Sequence, residues 1–136
     1  MRTITLILCL LILPLTLMAG DSPSPEGAKV YFVDLKDGDT VSSPVLIRLG
    51  LTEQMGIAPA LADWPDTGHF HLIIDAKTPN PNKPVAKTHL HLHLGQTEKT
   101  VKLKQGKHTI QIVLGDYAHM PHDPPVMSER ITVTVE

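Results

Sequence analysis

Cysteine is almost missing from this chain: Cys9 is the single one in 136 residues. A disulfide framework, common in small exported domains, is therefore excluded, and so is a Cys-rich structural zinc site. Charge of one sign is missing too. A formal net charge of −2 and a pI near 6.4 provide no electrostatic case for nucleic acid or anionic lipid. Aromatic residues make up only 4%, against twelve prolines and nine glycines, a balance that suits short strands and many turns rather than helices. Beyond the first twenty residues no apolar run is long enough to span a bilayer. There is no internal repeat, no amphipathic helical period and no Gly-rich phosphate loop. The serines lack a nucleophile-elbow context, and Asp34, Asp37 and Asp39 around Gly38 miss the spacing of a calcium loop, so a polar turn explains them.

Residues 1–20, MRTITLILCLLILPLTLMAG, have the layout of a secretory signal peptide. Arg2 precedes an apolar stretch from Ile4 to Met18, and small Ala19 and Gly20 precede polar DSPSPEG. The competing reading is an uncleaved N-terminal anchor. Cys9 lies inside the apolar run between leucines, which does not suit a lipoprotein signal. Cleavage after Ala19 or Gly20 removes the only thiol, so a metal would have to be held by imidazole, carboxylate, thioether or backbone oxygen. The expectation is a periplasmic or secreted protein with no membrane span after cleavage. Residues 21–28 read as a flexible leader and 29–136 as one domain, long enough for a modest core.

Within that domain the pattern is all-β. AKVYFVDL, VSSPVLIRLGL, HFHLIID, THLHLHLG, EKTVKLK, HTIQIVLGD and SERITVTVE read as about seven short strands. Asp37-Gly38, Gly95-Gln96 and QGK supply turns. Strict alternation places Ile110, Ile112 and Leu114 on one face, and Ile131, Val133 and Val135 on another. TEQMGIAPALADWPDTG has no helical period, and Pro59 and Pro65 oppose a helix; it reads as a loop packed down by Met55, Leu61 and Trp64. Such a succession of strands and turns indicates an antiparallel β-sandwich.

Eight histidines stand out in a chain this short. Alternation puts His89, His91 and His93 on one face of a strand, with Leu90, Leu92 and Leu94 on the core face. In HFHLIID, Phe70, Leu72 and Ile74 take the core side, leaving His69, His71, Ile73 and Asp75 opposite. If these strands pair antiparallel, His71 faces His91 or His93, and imidazoles from such positions can converge on an ion with bonds of about 2.0–2.1 Å. His89 and His93 are about 13 Å apart along a strand and cannot share one ion. Further ligands can come from DYAHMPHDPPVM, which offers His119, Met120, His122, Asp123 and Met127. Imidazole with thioether and no thiolate favours copper, with zinc as the alternative. The candidate metal ligands are therefore His69, His71, His89, His91, His93, His119, Met120 and His122. His108, which opens a strand after a Gly-Lys turn, is read as structural. Against any single ligand stands the plain alternative of a wet strand face or a neutral, hydrogen-bonded core histidine.

KVYFVDLKDGDTVSSPVLIRLGL resembles the opening hairpin of bacterial immunoglobulin-like modules, with Gly38, Val41, Pro44 and Val45 in their pattern, and QGKHTIQIVLGD resembles their penultimate strand. Taken together, VYFVDLKDGDTVSSPV, TGHFHLIID, HLHLHLGQTE, GKHTIQIVLGD and HMPHDPPVMSERITVTV resemble a family of small exported bacterial proteins catalogued as a domain of unknown function. Some of its members carry a rod-shape-determining label, which a chain without membrane spans does not match. The resemblance implies an immunoglobulin-like antiparallel β-sandwich and export, but no activity.

Three functions follow as expectations. The first is an exported carrier or buffer of a metal ion. The second is a non-catalytic interaction module that binds an envelope protein, with Met55 and Trp64 in its contact loop. The third is a redox metalloenzyme: the H-F-H and H-L-H pairs resemble those of copper–zinc superoxide dismutases, whose disulfide cysteines are absent here.

Overall fold

A computed structural model describes residues 22–136. The expected signal peptide lies outside the described residues. The elements in chain order are β1 (Val30–Phe32), β2 (Thr40–Val41), β3 (Val45–Leu51), β4 (Gly56–Ile57) and β5 (Thr67–Ile74). They continue with β6 (Leu90–His91), β7 (Glu98–Val101), β8 (Gly106–Gly115) and β9 (Ile131–Val135). No helix occurs among the described residues. Nine strands replace the seven or so expected, because the two-residue pieces β2 and β4 add to them, while β6 is what remains as strand of THLHLHLG.

One sheet has the order β1-β3-β7, all antiparallel; the other runs β2-β9-β8-β5-β4, with β6 also on β5. Central pairs β5–β8 and β8–β9 are antiparallel, while the short edge pairs β2–β9 and β4–β5 are parallel. The result is an all-β sandwich. Its main core lies between the sheets: Val45, Ile47 and Leu49 of β3 meet Phe70, Leu72, Ile112, Leu114 and Val133. Each such side chain contributes about 1.5–3 kcal/mol on full burial. In β9 the expected alternation is observed as buried and half-buried residues in turn, and β3 alternates buried and exposed from Val45 to Leu49.

Strands β5 and β8 depart from it. Six consecutive residues of each are buried, so both of their faces are covered. The outward face carries a second apolar cluster of Ile73, Val85 and Val113, with Ala76 and Met127 packed against it. Val85 comes from the proline-rich connection after β5, and Met127 from the loop after β8. These two segments turn what reads as the outer face of a half-buried sheet into an interior.

Three local expectations need correction. THLHLHLG is not one strand: β6 ends at His91, and a turn closed by Gly95 N–H to Leu92 C=O (3.3 Å) follows. Gly95 takes a φ of +75°, and Leu94, expected in the core, is 81% exposed. Of the loop anchors, Met55 is buried, but Leu61 and Trp64 are 80% and 59% exposed. Residues 22–24, read as part of a flexible leader, are bonded to the loop after β8: Ser24 N–H donates to Asp123 C=O and Asp123 N–H to Ser22 C=O, both at 3.0 Å.

Candidate metal centre

The site is built on the outward face of β5. His69 and His71 point away from the sandwich core, and the covering segments bury both completely. The register sets His71 opposite His91 on one side and opposite Val113 on the other, with His69 opposite Gly115. Across these pairs the outward side chains share one surface. Space for the rings comes from Gly115. A Cβ there would lie 2.5 Å from Cε1 and 3.0 Å from Nδ1 of His71. Glycine is needed here for close approach rather than for a special φ.

The third element is the loop after β8, held by Asp116. Its Oδ1 accepts from the amides of Ala118 (2.8 Å) and Met120 (2.9 Å), and its Oδ2 accepts from the Ser22 hydroxyl (2.8 Å). The Asp116 amide and carbonyl are also engaged, donating to Met120 C=O and accepting from His119 N–H. Within this knot His119 adopts a left-handed φ of +64°, a conformation histidine tolerates better than most side chains. Its carbonyl accepts from Val85 N–H at 2.8 Å, which ties the loop to the other covering segment.

The four side chains converge. One ring nitrogen from each of His69, His71, His91 and His119 lies within 4.8 Å of the other three. His119 Nδ1 is 2.9 Å from His69 Nε2 and 3.4 Å from His71 Nε2. Two ligands on opposite sides of one ion are about 4 Å apart at bonds of about 2.0–2.1 Å, so small side-chain adjustments would bring all four nitrogens to bonding distance. His91 is oriented by the Ala86 carbonyl, 2.9 Å from its Nε2. A carbonyl only accepts, so that nitrogen carries the hydrogen and Nδ1 presents a lone pair. His93 Nε2 sits 3.1 Å from that Nδ1. Because the chain turns back after Leu92, the His93 ring also lies 5.1 Å from that of His119 and 5.8 Å from that of His69.

Electrostatics keep the cluster neutral. Burial, then the neighbouring imidazoles, lowers His71 to about 2. The same two causes in the same order lower His69 to about 4. Burial also pulls down His91, against its bond to Ala86, and His119, which additionally feels His91 and His93. Neutral rings with available lone pairs are what a metal ion requires. Nδ1 of His69 and Nδ1 of His71 are buried without a hydrogen-bond partner. The nitrogens that converge are Nε2 of His69 and His71 with Nδ1 of His119, so an ion taking those Nε2 lone pairs would fix the hydrogens of His69 and His71 on Nδ1. Four His donors without thiolate fit a borderline divalent transition metal.

The other candidates lie elsewhere. His89 is half-buried and lines a cleft with His91, His93 and His119. His122 is buried, with backbone oxygens of Thr67 and Leu114 3.2 and 3.4 Å from its two ring nitrogens, which is a loop-fixing role. Met120 is half-buried and engages Asp116 through its amide and carbonyl. His108 is bound to Asp75 (2.6 Å) and to the Lys104 carbonyl (2.7 Å), the structural role expected of it. Sequence reasoning missed Gly115 and Asp116. A glycine ending the alternation of HTIQIVLG signals a close backbone approach, and an aspartate just before Y-A-H-M signals a side-chain-closed turn.

The family described as Domain of unknown function (DUF4399) matches residues 47–136. The chain belongs to that family. The matched span holds all four convergent histidines together with Gly115 and Asp116. No curated protein and no solved structure matches the chain.

Proposed function

We propose that this protein is an exported binder of a divalent transition metal, copper before zinc, acting as a carrier or buffer in the periplasm or outside the cell. The convergence of His69, His71, His91 and His119 carries the reading. Preference for copper rests on the general order of affinities, in which Cu(II) binds nitrogen ligands more tightly than Zn(II) or Ni(II). The carrier role rests on access. Two ligands are buried and two half-buried, so an ion can enter and leave without unfolding, unlike one in a closed structural site. Export rests on residues 1–20.

Purified metal-free protein titrated calorimetrically with Cu(II), Zn(II) and Ni(II) should bind one equivalent, copper most tightly. Affinity should fall at least tenfold when His69, His71 and His91 are all changed to alanine. Binding no tighter than that of an unrelated His-containing control, or binding unchanged in the triple variant, would overturn the reading.

A second reading, an interaction module of the cell envelope, is favoured by one observation. Leu61, Trp64, Leu94 and Tyr117 are large, apolar and exposed. They are also linked: Leu61 N–H donates to Tyr117 C=O, and Ala60 N–H to His93 C=O. Retention of an envelope protein by metal-stripped bait, lost on Leu61→Ser with Trp64→Ser, would support it.

A further inference from the structure

A cleft of about 680 Å³ opens beside the histidine cluster. It is lined by the half-buried or exposed imidazoles of His91, His93 and His119, by Pro84 and Leu90, and by Lys87. The buried pair, His69 and His71, is not part of its lining. An ion held by the four ligands would therefore face the cleft on its His91 and His119 side.

Charge decides what the cleft would then accept. Imidazole ligands are neutral, so a divalent ion among them keeps its whole charge, in a partly buried place where an uncompensated charge is costly. Asp116 is the nearby carboxylate whose field reaches His69 and His119. Both of its oxygens are already occupied by Ala118, Met120 and Ser22, so it is not a free ligand. Lys87 adds a second positive charge, felt at His119. The loaded cleft is thus cationic at the ion and at Lys87, and apolar at Pro84 and Leu90. Its volume is that of a small-molecule site, far more than hydroxide or a halide would fill.

We propose that this cleft is a carboxylate site: the metal-loaded protein takes up a small monocarboxylate with an apolar body. One oxygen binds the ion as a fifth ligand beside the four imidazoles, the negative charge lies near Lys87, and the body packs against Pro84 and Leu90. The proposal rests on the metal reading above and goes further by naming a co-ligand. The cargo is then a metal–carboxylate pair rather than a bare ion.

The test is calorimetry on the full exported chain loaded with one equivalent of Zn(II), its zinc content verified after desalting, with metal-free protein in parallel. Benzoate, acetate and inorganic phosphate are the probes. Benzoate should bind the zinc form and not the metal-free form. Acetate, lacking the apolar body, should bind about tenfold more weakly or worse. Lys87→Ala should weaken benzoate by about two- to fivefold, the range of an exposed charge pair, while zinc content stays at one equivalent. No benzoate uptake by protein that retains its zinc overturns the proposal and leaves the metal reading standing. Equal uptake by metal-free protein, acetate or phosphate matching benzoate, or an unchanged Lys87→Ala variant also overturns it. Failure to retain zinc moves the same titrations to the Cu(II)-loaded protein, and failure to retain copper as well removes the metal reading, and this proposal with it.

Discussion

Gly115 shows how much of the site depends on an atom that is not there. His71 occupies the space its side chain would fill, and alanine would place a methyl group 2.5 Å from the ring. Gly115→Ala should destabilise the protein by about 1–3 kcal/mol in urea denaturation, the usual cost of overpacking. It should also weaken metal binding at least tenfold, because the ring that moves belongs to a ligand. His69 and His71 themselves make stability depend on pH. Both titrate in the folded, metal-free protein well below their ordinary 6.5, at about 4 and about 2. Below pH 6.5 the unfolded chain takes up protons that the folded chain refuses. Their contribution should therefore be level above that pH and fall between 6.5 and 4 by up to about 1.4 kcal/mol per pH unit for each histidine. Denaturation of metal-free protein at pH 7.5, 6 and 5 checks this, and replacing both residues with glutamine should flatten the trend.

At the scale of elements, the loop after β8 is what converts a pair of histidines into a cluster. Asp116 holds that loop by three side-chain hydrogen bonds, one of them to Ser22. Asp116→Ala should cost about 1.5–4.5 kcal/mol, at about 0.5–1.5 kcal/mol for each bond lost. It should also release His119 from its left-handed conformation, so that metal affinity falls with no ligand changed. Asp116→Asn keeps an acceptor for the two amides and should retain more of both, which thermal melts and metal titration can compare. The far end of β5 carries the opposite pH signature. Asp75 accepts from the His108 ring and from the Thr109 amide, and the bonds to Asp75 and Lys104 raise His108 above its ordinary value. This contribution is complete below pH 6.5 and is lost as pH rises through the raised value. Asp75 is half exposed, so Asp75→Asn should cost less than about 1 kcal/mol at pH 6, and less still at pH 9.

For the whole molecule, the covered outer face of the larger sheet has a thermodynamic consequence. The sandwich has to stabilise a pocket of unsatisfied imidazoles as well as a core, and no disulfide supports it. Binding an ion that recognises only the folded state adds about 2.7 kcal/mol at a free concentration one hundred times Kd. For a domain of this size that amounts to a rise in melting temperature on the order of 10 °C. Differential scanning calorimetry with and without Cu(II) should show the rise, and a chelator should reverse it. In the His69→Ala, His71→Ala double variant the rise should be absent.

Much of this architecture could be read in the sequence because its causes are local. Alternation assigned Phe70 and Leu72 to the core and His69 and His71 to the other face. The length of the connection between HFHLIID and HLHLHLG set His71 against His91 or His93, and His91 is the partner observed. Chain order alone could not tell whether that other face is wet or buried. Two distant segments cover it, joined through Val85 and His119 and anchored by Asp116 to Ser22. Those bonds decided that His119 turns into the cluster while His122, three residues later, turns toward the Thr67 and Leu114 carbonyls. They are long-range in sequence, and side-chain periodicity carries no record of which loop will fold over which sheet. The strands were therefore determined by the pattern of side chains along the chain, and the histidine cluster by the tertiary packing of loops whose hydrogen bonds only the folded protein can form.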